Sequence, residues 1–463
     1  MELNKKIDEL KEELIKSTQE IIRIKSVEDE PKNGMPFGEG VNRALEYALK
    51  ISKKLGFKTK NLDGYVGYAE YGEGEDYVAV LGHLDVVPEG DGWIYPPYAA
   101  EIHDDKMYGR GTLDDKGPIL AALYGLKAIK DLNLPISKRV RIIFGTNEET
   151  GSKEMHHYTE RESMPVSGFT PDAMYPLIHA EKGLMSFNLV KDINACGNEE
   201  IRINYIRGGH RVNMVPDYCE AGIWSREKDV IIHALEKFKV KNDFNITAHI
   251  KSDMVVIKSV GVSAHGSTPE NGINAIMQLF KFLETLAFEN TELYEFVKFM
   301  NKYVGFEVNG ESFGVYLQDE VSGSLSFNIG TVNFQDEKIS MGLNLRYPVT
   351  KTLDDVLTGL NKTINKIGIK VENMDHQAPL YFSKDHPLIK KLLSVYEEVT
   401  GDSGEAFAIG GGTYAKEMKN IVAFGPIFPG KPDLDHQANE YIEIEDLVMN
   451  AKIYAKAIYE LAK

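Results

Sequence analysis

Cysteine, long apolar runs and a surplus of positive charge are scarce or missing in this 463-residue chain. Its two cysteines, Cys196 and Cys219, form no CxxC pair, which argues against a disulfide framework and a thiolate metal site and favours a reducing compartment. No run approaches the ~18 consecutive apolar residues of a membrane-spanning helix. Acidic residues outnumber basic ones by 70 to 53, and the net charge of −17 disfavours a nucleic-acid or anionic-membrane partner.

What is present is typical of a globular protein with a large buried core. Hydrophobic residues make up 43% of the chain, and its length predicts two or three domains of about 150 residues each. The first 24 residues place Leu3, Ile7, Leu10 and Leu14 at helical spacing among charged residues. This pattern predicts an amphipathic helix rather than a signal peptide, so we expect a cytoplasmic protein.

Helices and strands alternate along the first part of the chain. The pattern predicts helices over 41–55 and 117–130 and strands near 65–70, 77–81 and 138–144. This alternation favours an α/β domain with a largely parallel sheet. Ligands of such sheets gather at the carboxyl ends of the strands.

The middle of the chain has a different order. Residues 253–375 predict a βαββαβ unit of the ferredoxin-like type, and 184–250 predict a second, partial layer of the same kind. Helix and strand alternation returns from residue 385. We therefore expect a catalytic domain formed by 1–183 and 384–463, interrupted by an inserted domain over 184–383.

Two polar clusters directly follow predicted buried strands. His83 precedes Asp85 by two residues after the first of these strands, and Glu148 with Glu149 follows the second. Alone, the His–x–Asp pattern is more typical of a loop histidine beside a solvated aspartate. Adjacent glutamates at a strand end are costly unless a cation or a proton intervenes, so they indicate a metal or an acid/base pair.

Further polar residues lie in predicted loops. Asp114 and Asp115 precede a helix, Asp172 lies in a proline-bounded loop, His265 lies in a Gly/Ser-rich turn, and His436 lies among acidic residues. Helix capping, turn formation or solvation explains each of them individually. Together, two histidines and three or four carboxylates form a hard-ligand set that fits two divalent cations. A remaining carboxylate could then act as general base on a metal-activated water.

Eight motifs strengthen this interpretation: GHLDVVPEGDGW, YGRGTLDDKGP, GTNEETGS, FTPDAMYP, VSAHGSTPENGINA, NLRYPV, GGGTYA and PDLDHQANE. They occur in the order seen in the co-catalytic metallopeptidases that include aminoacylase, glutamate carboxypeptidase and succinyl-diaminopimelate desuccinylase. The chain resembles this family over nearly its whole length and looks most like its PepV-type dipeptidases, the bacterial relatives of carnosinase. The resemblance implies an α/β, mixed-sheet catalytic domain of phosphorylase/hydrolase-like architecture with an inserted α+β lid.

The resemblance also implies which residues hold two metal ions. His83, Asp114 and Asp172 would hold the first metal. Asp114 would bridge to the second, which Glu149 and His436 would hold. Two zinc ions are the default expectation, although manganese and cobalt are also compatible with these ligand types.

Three further features of the catalytic domain follow from the resemblance. Glu148 would be the general base on the bridging water, and Asp85 would orient His83. The peptide bond between Asp114 and Asp115 is predicted to be cis.

The inserted segment resembles the family's lid. His265 would support the developing oxyanion, Arg346 would bind the terminal carboxylate of the substrate, and Asn213 would add a further contact. The loop that contains Gly411 and Gly412 would bring backbone close to the substrate. Because a duplicated lid layer can replace a partner subunit, we expect a monomer.

The resemblance therefore implies a metal-dependent dipeptidase that cleaves short peptides, β-Ala-Xaa and Xaa-His dipeptides among the candidates, with a small peptide as its partner. An N-acyl-amino-acid amidohydrolase would need the same metals and base, and a non-catalytic binding homologue would keep the fold. The DDKGP variant and the duplicated lid argue against the amidohydrolase, and the complete set of ligand positions argues against the binding homologue.

Overall fold

The computed structural model describes residues 2–194, 200–286, 288 and 291–463, so Cys196 lies outside the described residues. The chain forms two compact units. Unit 1 comprises Met1–His179, Phe382–Phe407 and Thr413–Lys463, and unit 2 comprises Ala180–Tyr381 and Ala408–Gly412.

The helices and strands up to the first boundary between the units are α1 (Glu2–Ile22), α2 (Glu39–Lys54), β1 (Lys58–Leu62), β2 (Val66–Tyr71), β3 (Tyr77–His83), β4 (Glu101–His103), β5 (Lys106–Tyr108), α3 (Lys116–Asp131), β6 (Arg139–Gly145), α4 (Lys153–Thr159), β7 (Ser167–Thr170), β8 (Ala173–Met174) and β9 (Ile178–Glu181). The predicted helices and strands of this region are confirmed to within a few residues at their ends.

The elements of unit 2 are β10 (Gly183–Asp192), β11 (Ile201–Gly208), β12 (Tyr218–Ser225), α5 (Lys228–Lys241), β13 (Ile246–Lys251), β14 (Met254–Val260), α6 (Ala275–Leu283), α7 (Thr291–Tyr303), β15 (Gln318–Asp319), β16 (Gly323–Ser324), β17 (Ser326–Gln335), β18 (Lys338–Tyr347), α8 (Leu353–Ile364), β19 (Lys370–Gln377) and β20 (Leu380–Tyr381). The elements that follow are α9 (Pro387–Thr400), β21 (Phe407–Ile409), β22 (Ile421–Ala423), β23 (Pro426–Ile427), β24 (Tyr441–Glu443) and α10 (Ile444–Ala462).

The main sheet of unit 1 is mixed. Its strands run in the order β1-β2-β6-β3-β7-β22; the four strands from β6 to β22 are parallel, and β2 runs antiparallel to both of its neighbours, β1 and β6. All seven residues of β3 are buried, as expected for a parallel strand with both faces covered. The predicted mixed α/β class is therefore confirmed. Because β3, β6 and β7 are parallel, their carboxyl ends lie at the same edge of the sheet.

Unit 2 contains an eight-stranded antiparallel sheet in the order β13-β14-β12-β11-β17-β18-β10-β19. In a βαββαβ unit of the ferredoxin type, the first strand lies between the third and the fourth. Here β10 lies between β18 and β19, so β10 and not β14 is the first strand, and the prediction that the unit begins near residue 253 is wrong. The segment from β11 to β14 is inserted after that first strand and extends the same sheet, which local sequence order could not reveal.

The two faces of this sheet differ sharply. One face packs against α5, α6, α7 and α8 in an apolar core that includes Phe187, Ile257, Leu279 and Leu343. The other carries buried polar side chains on neighbouring strands: Ser326, Asn328, Asn344 and Arg346. Buried polar groups are costly unless they are hydrogen-bonded. Asn344 bonds to Arg346 and Ser186 on the same face, and Asn328 donates to the backbone oxygens of Val212 and Met214.

Candidate metal centre and active site

Three strand ends in unit 1 present the first group of predicted ligands. His83 is the last residue of β3, Glu148 and Glu149 follow β6, and Asp172 follows β7. Because these strands are parallel neighbours, their carboxyl ends meet at one edge of the sheet, where ligand sites of such sheets form.

His83 is completely buried, and its two ring nitrogens have different surroundings. Nε2 lies 2.8 Å from Oδ1 of Asp114 and 3.8 Å from Oδ1 of Asp172. Nδ1 lies 3.0 Å from the backbone oxygen of Asp85 and 3.5 Å from its carboxylate. A ring whose Nδ1–H donates to a carbonyl presents the lone pair of Nε2, which is the arrangement of a metal-bound histidine.

Asp114 lies between two histidines. Its Oδ1 faces His83, and its Oδ2 lies 3.2 Å from Nε2 of His436, which is also 2.9 Å from Oε2 of Glu149. The bond between Asp114 and Asp115 is cis, as predicted. One carboxylate thus faces both halves of the cluster, which is the position of a bridging ligand.

Asp85 has a second set of contacts that the sequence did not indicate. Its carboxylate accepts the backbone N–H groups of Glu148 at 3.2 Å and Glu149 at 3.1 Å. The same residue therefore fixes the ring of His83 through its carbonyl and the paired glutamates through its carboxylate.

The buried carboxylates strongly influence one another. Burial raises the pKa of Glu149 to about 7, with the Asp114 carboxylate as the next cause. Burial also raises the pKa of Glu148 well above its usual range, followed by the charge of Asp172. Hydrogen bonds to Asp114 and Glu149 raise the pKa of His436 to about 11. Like charges so close together need added positive charge to remain ionised.

Two groups of donor atoms have the spacing of a metal site. Ligand atoms of His83, Asp114 and Glu149 lie within 4.8 Å of one another, and so do those of His83, Glu148 and Asp172. With His436 against Asp114 and Glu149, the donors are imidazole nitrogens and carboxylate oxygens, which suit zinc, manganese or cobalt. The residues present therefore fit divalent metal ions, and Glu148 lies within the cluster and not beside it.

Other buried residues beside the cluster were not predicted as functional. Burial raises the pKa of Asp435 to about 9, with the Asp114 charge next, and its Oδ1 has no hydrogen-bond partner among the described residues. The Tyr414 hydroxyl donates to Glu154, and the Tyr414 ring packs edge-on against His83 with ring centroids 6.0 Å apart. Asp435 and Tyr414 lie in the PDLDHQANE and GGGTYA motifs, but their contacts with the cluster arise from the fold, and the sequence did not indicate them.

In unit 2, Arg346 links several of the predicted lid residues. It is 4% exposed; its Nη1 donates to the backbone oxygen of Gly410 at 2.9 Å, and its Nη2 lies 3.4 Å from Nε2 of His265. A Cβ on Gly411 would lie 3.8 Å from Nη1 of Arg346. The structure thus brings Arg346, His265 and the glycine loop that includes Gly412 together.

A cavity of about 470 Å³ adjoins Arg346 on the polar face of the sheet and is also lined by Arg211, Asn213 and Asn344. Asn344 accepts from Nε of Arg346 at 3.0 Å and donates to Ser186 at 2.9 Å. Burial lowers the pKa of Arg346 to about 10, so the guanidinium stays protonated at neutral pH. A cation held in this way suits a carboxylate.

A histidine–carboxylate cluster beside the strand ends of a mixed α/β sheet is the arrangement expected of a metal-dependent enzyme. A sequence model of "Peptidase family M20/M25/M40" matches residues 79–460. The chain belongs to this peptidase family, which confirms the family resemblance seen in the sequence and makes the protein a peptide hydrolase.

Individual relatives agree with the family assignment. "Putative dipeptidase YtjP" of Bacillus subtilis (strain 168) is 42% identical over 461 residues, covering 98% of each chain. A "Putative dipeptidase" of Staphylococcus epidermidis is 36% identical over 462 residues, again covering 98% of each. Human carnosine dipeptidase 1 has a similar fold, with a TM-score of 0.56 at 16% identity over 99% of both chains. Within the described part of the chain, no helix combines the length and apolar character needed to cross a membrane.

Proposed function

We propose that this protein is a metallodipeptidase that hydrolyses the peptide bond of dipeptides. The observation that carries the proposal is the position of Asp114, whose two carboxylate oxygens face His83 and His436. Two relatives named as putative dipeptidases match this chain over 98% of its length, which supports hydrolysis of dipeptides.

The proposed ligands divide into two sets around Asp114. His83 and Asp172 complete the first set, and Glu149 and His436 complete the second. When bound, the metal ions would polarise the scissile carbonyl and lower the pKa of the attacking water.

Glu148 is the proposed general base. It takes a proton from the attacking water as the new C–O bond forms, and it returns that proton to the amine as the C–N bond breaks. The Asp85 carboxylate, which accepts the Glu148 backbone N–H, keeps this residue in place. Each peptide bond cleaved consumes one water, whose OH joins the new carboxyl group and whose other proton goes to the amine.

The unit 2 residues are proposed to select short substrates. Arg346 pairs with the terminal carboxylate of a dipeptide through its planar fork of N–H donors. His265, whose Nδ1 lies 2.6 Å from the Ser267 hydroxyl, is the proposed partner of the carbonyl oxygen. Asn213 and the backbone of Gly411 and Gly412 add further contacts.

The organisation of the chain follows from the same proposal. Residues 1–183 and 384–463 form the catalytic domain, and 184–383 form the inserted lid. The additional strands β11 to β14 in the lid sheet support a monomer, and the low cysteine count supports a cytoplasmic location. Size-exclusion chromatography with light-scattering detection should give a mass near 51.9 kDa. A mass twice as large would contradict the monomer proposal.

The test is hydrolysis of a matched set of substrates: a simple dipeptide, β-alanyl-histidine, a tripeptide and an N-acetyl amino acid. Metal-stripped protein is reloaded separately with zinc and with manganese. We expect metal-dependent cleavage of dipeptides alone, and the β-alanyl substrate reports on side-chain preference. Cleavage of only the acetylated substrate would indicate an amidohydrolase, and no cleavage by metal-loaded protein would overturn the proposal.

A further inference from the structure

A buried carboxylate outside the predicted ligand set lies directly behind the metal cluster. Glu440 is 0% exposed and follows His436 by four residues, just before β24. It is separated from Asp114 by 326 residues of sequence, yet the two segments are in contact.

Glu440 is bonded to the turn that carries Asp114. Its carboxylate accepts the backbone N–H of Gly111 at 3.0 and 3.1 Å, of Leu113 at 2.9 Å and of Asp114 at 3.3 Å. Backbone N–H groups in a buried turn need acceptors, and here one side chain supplies them for three residues.

The charge of Glu440 is itself paired. Arg110, which is 2% exposed, donates from Nη1 to Oε2 of Glu440 at 2.7 Å. The Arg110 guanidinium packs 5.3 Å from the Trp93 ring, and its Nη2 lies 3.4 Å from the backbone oxygen of Glu89. In return, the backbone oxygen of Glu440 accepts the N–H of Gly109 at 3.0 Å. Each end of the ion pair is therefore anchored to the backbone.

We infer that Glu440 is a positioning residue for the metal centre. Its bonds hold the turn over 109–114, so that the Asp114 carboxylate lies between His83 and His436. Because Glu440 and His436 belong to one short segment, the same bonds also set the spacing between His436 and Asp114. The inference rests on the metal-binding part of the proposed function.

This arrangement has an energetic reason. A bridging carboxylate must hold both oxygens within a few tenths of an ångström of their metal positions, and a free turn would lose conformational freedom each time metal binds. Fixing the turn in advance removes that loss, which is why residues behind metal ligands commonly alter metal affinity by roughly 10- to 100-fold. A purely structural ion pair would instead stabilise the protein equally with and without metal.

The experiment compares Glu440→Gln with a matched control, Glu70→Gln. Glu70 is a paired carboxylate of the same unit, 2.7 Å from Arg141 and 2.9 Å from Arg139, with no hydrogen bond to the cluster among the described residues. The zinc dissociation constant is measured by competition with a chromophoric chelator, and the melting temperature is measured without metal. We expect Glu440→Gln to raise the dissociation constant by roughly 10- to 100-fold and Glu70→Gln to leave it unchanged.

Arg110→Lys provides a second variant in case Glu440→Gln does not fold. It keeps the positive charge but loses the planar fork that joins Oε2 of Glu440 to the backbone oxygen of Glu89, so the Glu440 carboxylate is no longer held in one position against the turn. Its zinc dissociation constant should exceed that of the unmodified protein.

The outcomes separate this inference from the proposed function. A folded Glu440→Gln with unchanged zinc affinity and a lower metal-free melting temperature would overturn the positioning role, and so would unchanged affinity in Arg110→Lys if Glu440→Gln is unfolded. An unmodified protein that binds no zinc or manganese would overturn both ideas. Normal metal binding without dipeptide cleavage would count against the proposed function alone.

Discussion

Glu148 is the proposed general base, and its place in the cluster makes metal ligation the alternative role to be tested. It is grouped with His83 and Asp172 at ligand spacing, and Asp85 holds its backbone. We expect Glu148→Ala to lower kcat by at least about 100-fold, because proton transfer by a positioned base contributes that much or more. Steady-state kinetics and elemental analysis of the same sample provide the measurement.

The metal content of Glu148→Ala distinguishes the two possibilities. Two retained metal equivalents with lost turnover fit a base, whereas the loss of one equivalent would make Glu148 a ligand. Retained turnover would exclude both roles.

Arg346 should determine affinity for substrates with a free terminal carboxylate. A charge-assisted hydrogen bond contributes about 1.5–3 kcal/mol, so Arg346→Ala should raise KM by roughly 10- to 150-fold with a smaller effect on kcat. A carboxyl-amidated dipeptide serves as the control, because it should be a poor substrate for the unmodified enzyme and insensitive to the substitution. Equal cleavage of amide and free acid by the unmodified enzyme would contradict this role.

At the scale of single elements, α8 shows how the sequence sets a helix boundary. Thr352 accepts the Asp355 N–H at 3.3 Å, and the Asp355 carboxylate accepts the Thr352 N–H at 2.9 Å, a reciprocal capping box. Thr352→Ala should lower the free energy of unfolding of unit 2 by about 1 kcal/mol. Urea unfolding in a Trp93→Phe background, followed by fluorescence of Trp224 in β12, provides the measurement.

Thr358→Ala is the control for this prediction. Thr358 lies inside the same helix, and its hydroxyl donates to the backbone oxygen of Asp354 at 2.8 Å. Its replacement should have little effect, and an equal loss in both variants would show that the cap is not the cause.

The ferredoxin-like unit shows the limit of local patterns at this scale. The βαββαβ order predicted over 253–375 is present there, but that segment contains a further helix, α7, and its first strand is not the first strand of the unit. Periodicity reports whether a segment is helix or strand. It does not report which strand lies beside which, because that depends on packing between residues that are distant in sequence.

At the scale of the whole molecule, metal removal should destabilise unit 1 in particular. Ligand bound only to the folded state at 100 times its dissociation constant adds about 2.7 kcal/mol to the free energy of unfolding. In a Trp224→Phe background, the fluorescence of Trp93 reports on unit 1, since the chain has two tryptophans. Added zinc should shift the midpoint of this unfolding transition to a higher urea concentration.

The matching measurement on unit 2 uses Trp224 in the Trp93→Phe background, at 100 times the zinc dissociation constant measured for that variant, because Trp93 packs against Arg110 beside the metal centre. A smaller shift there is expected, because every proposed ligand lies in unit 1. If zinc does not change the midpoint of the unfolding transition followed by Trp93 fluorescence, the proposed ligand set is contradicted.

The sequence by itself determined the residues of the cluster and the family to which the chain belongs. His83 and the pair Glu148 and Glu149 could be found because buried strands are recognisable from apolar runs, and parallel strands bring their carboxyl ends to one edge. Asp172 follows β7, a strand that the apolar pattern did not predict, and only the family resemblance indicated this residue. Local order also placed Asp114 before a helix and His436 in a polar loop.

Only the tertiary structure decided how these residues are held. The bonds from Glu440 to the Asp114 turn, the double role of Asp85 and the place of β10 in its sheet all join residues far apart in the chain. Such contacts depend on which buried polar groups find partners once the core has formed, and no local pattern encodes that choice.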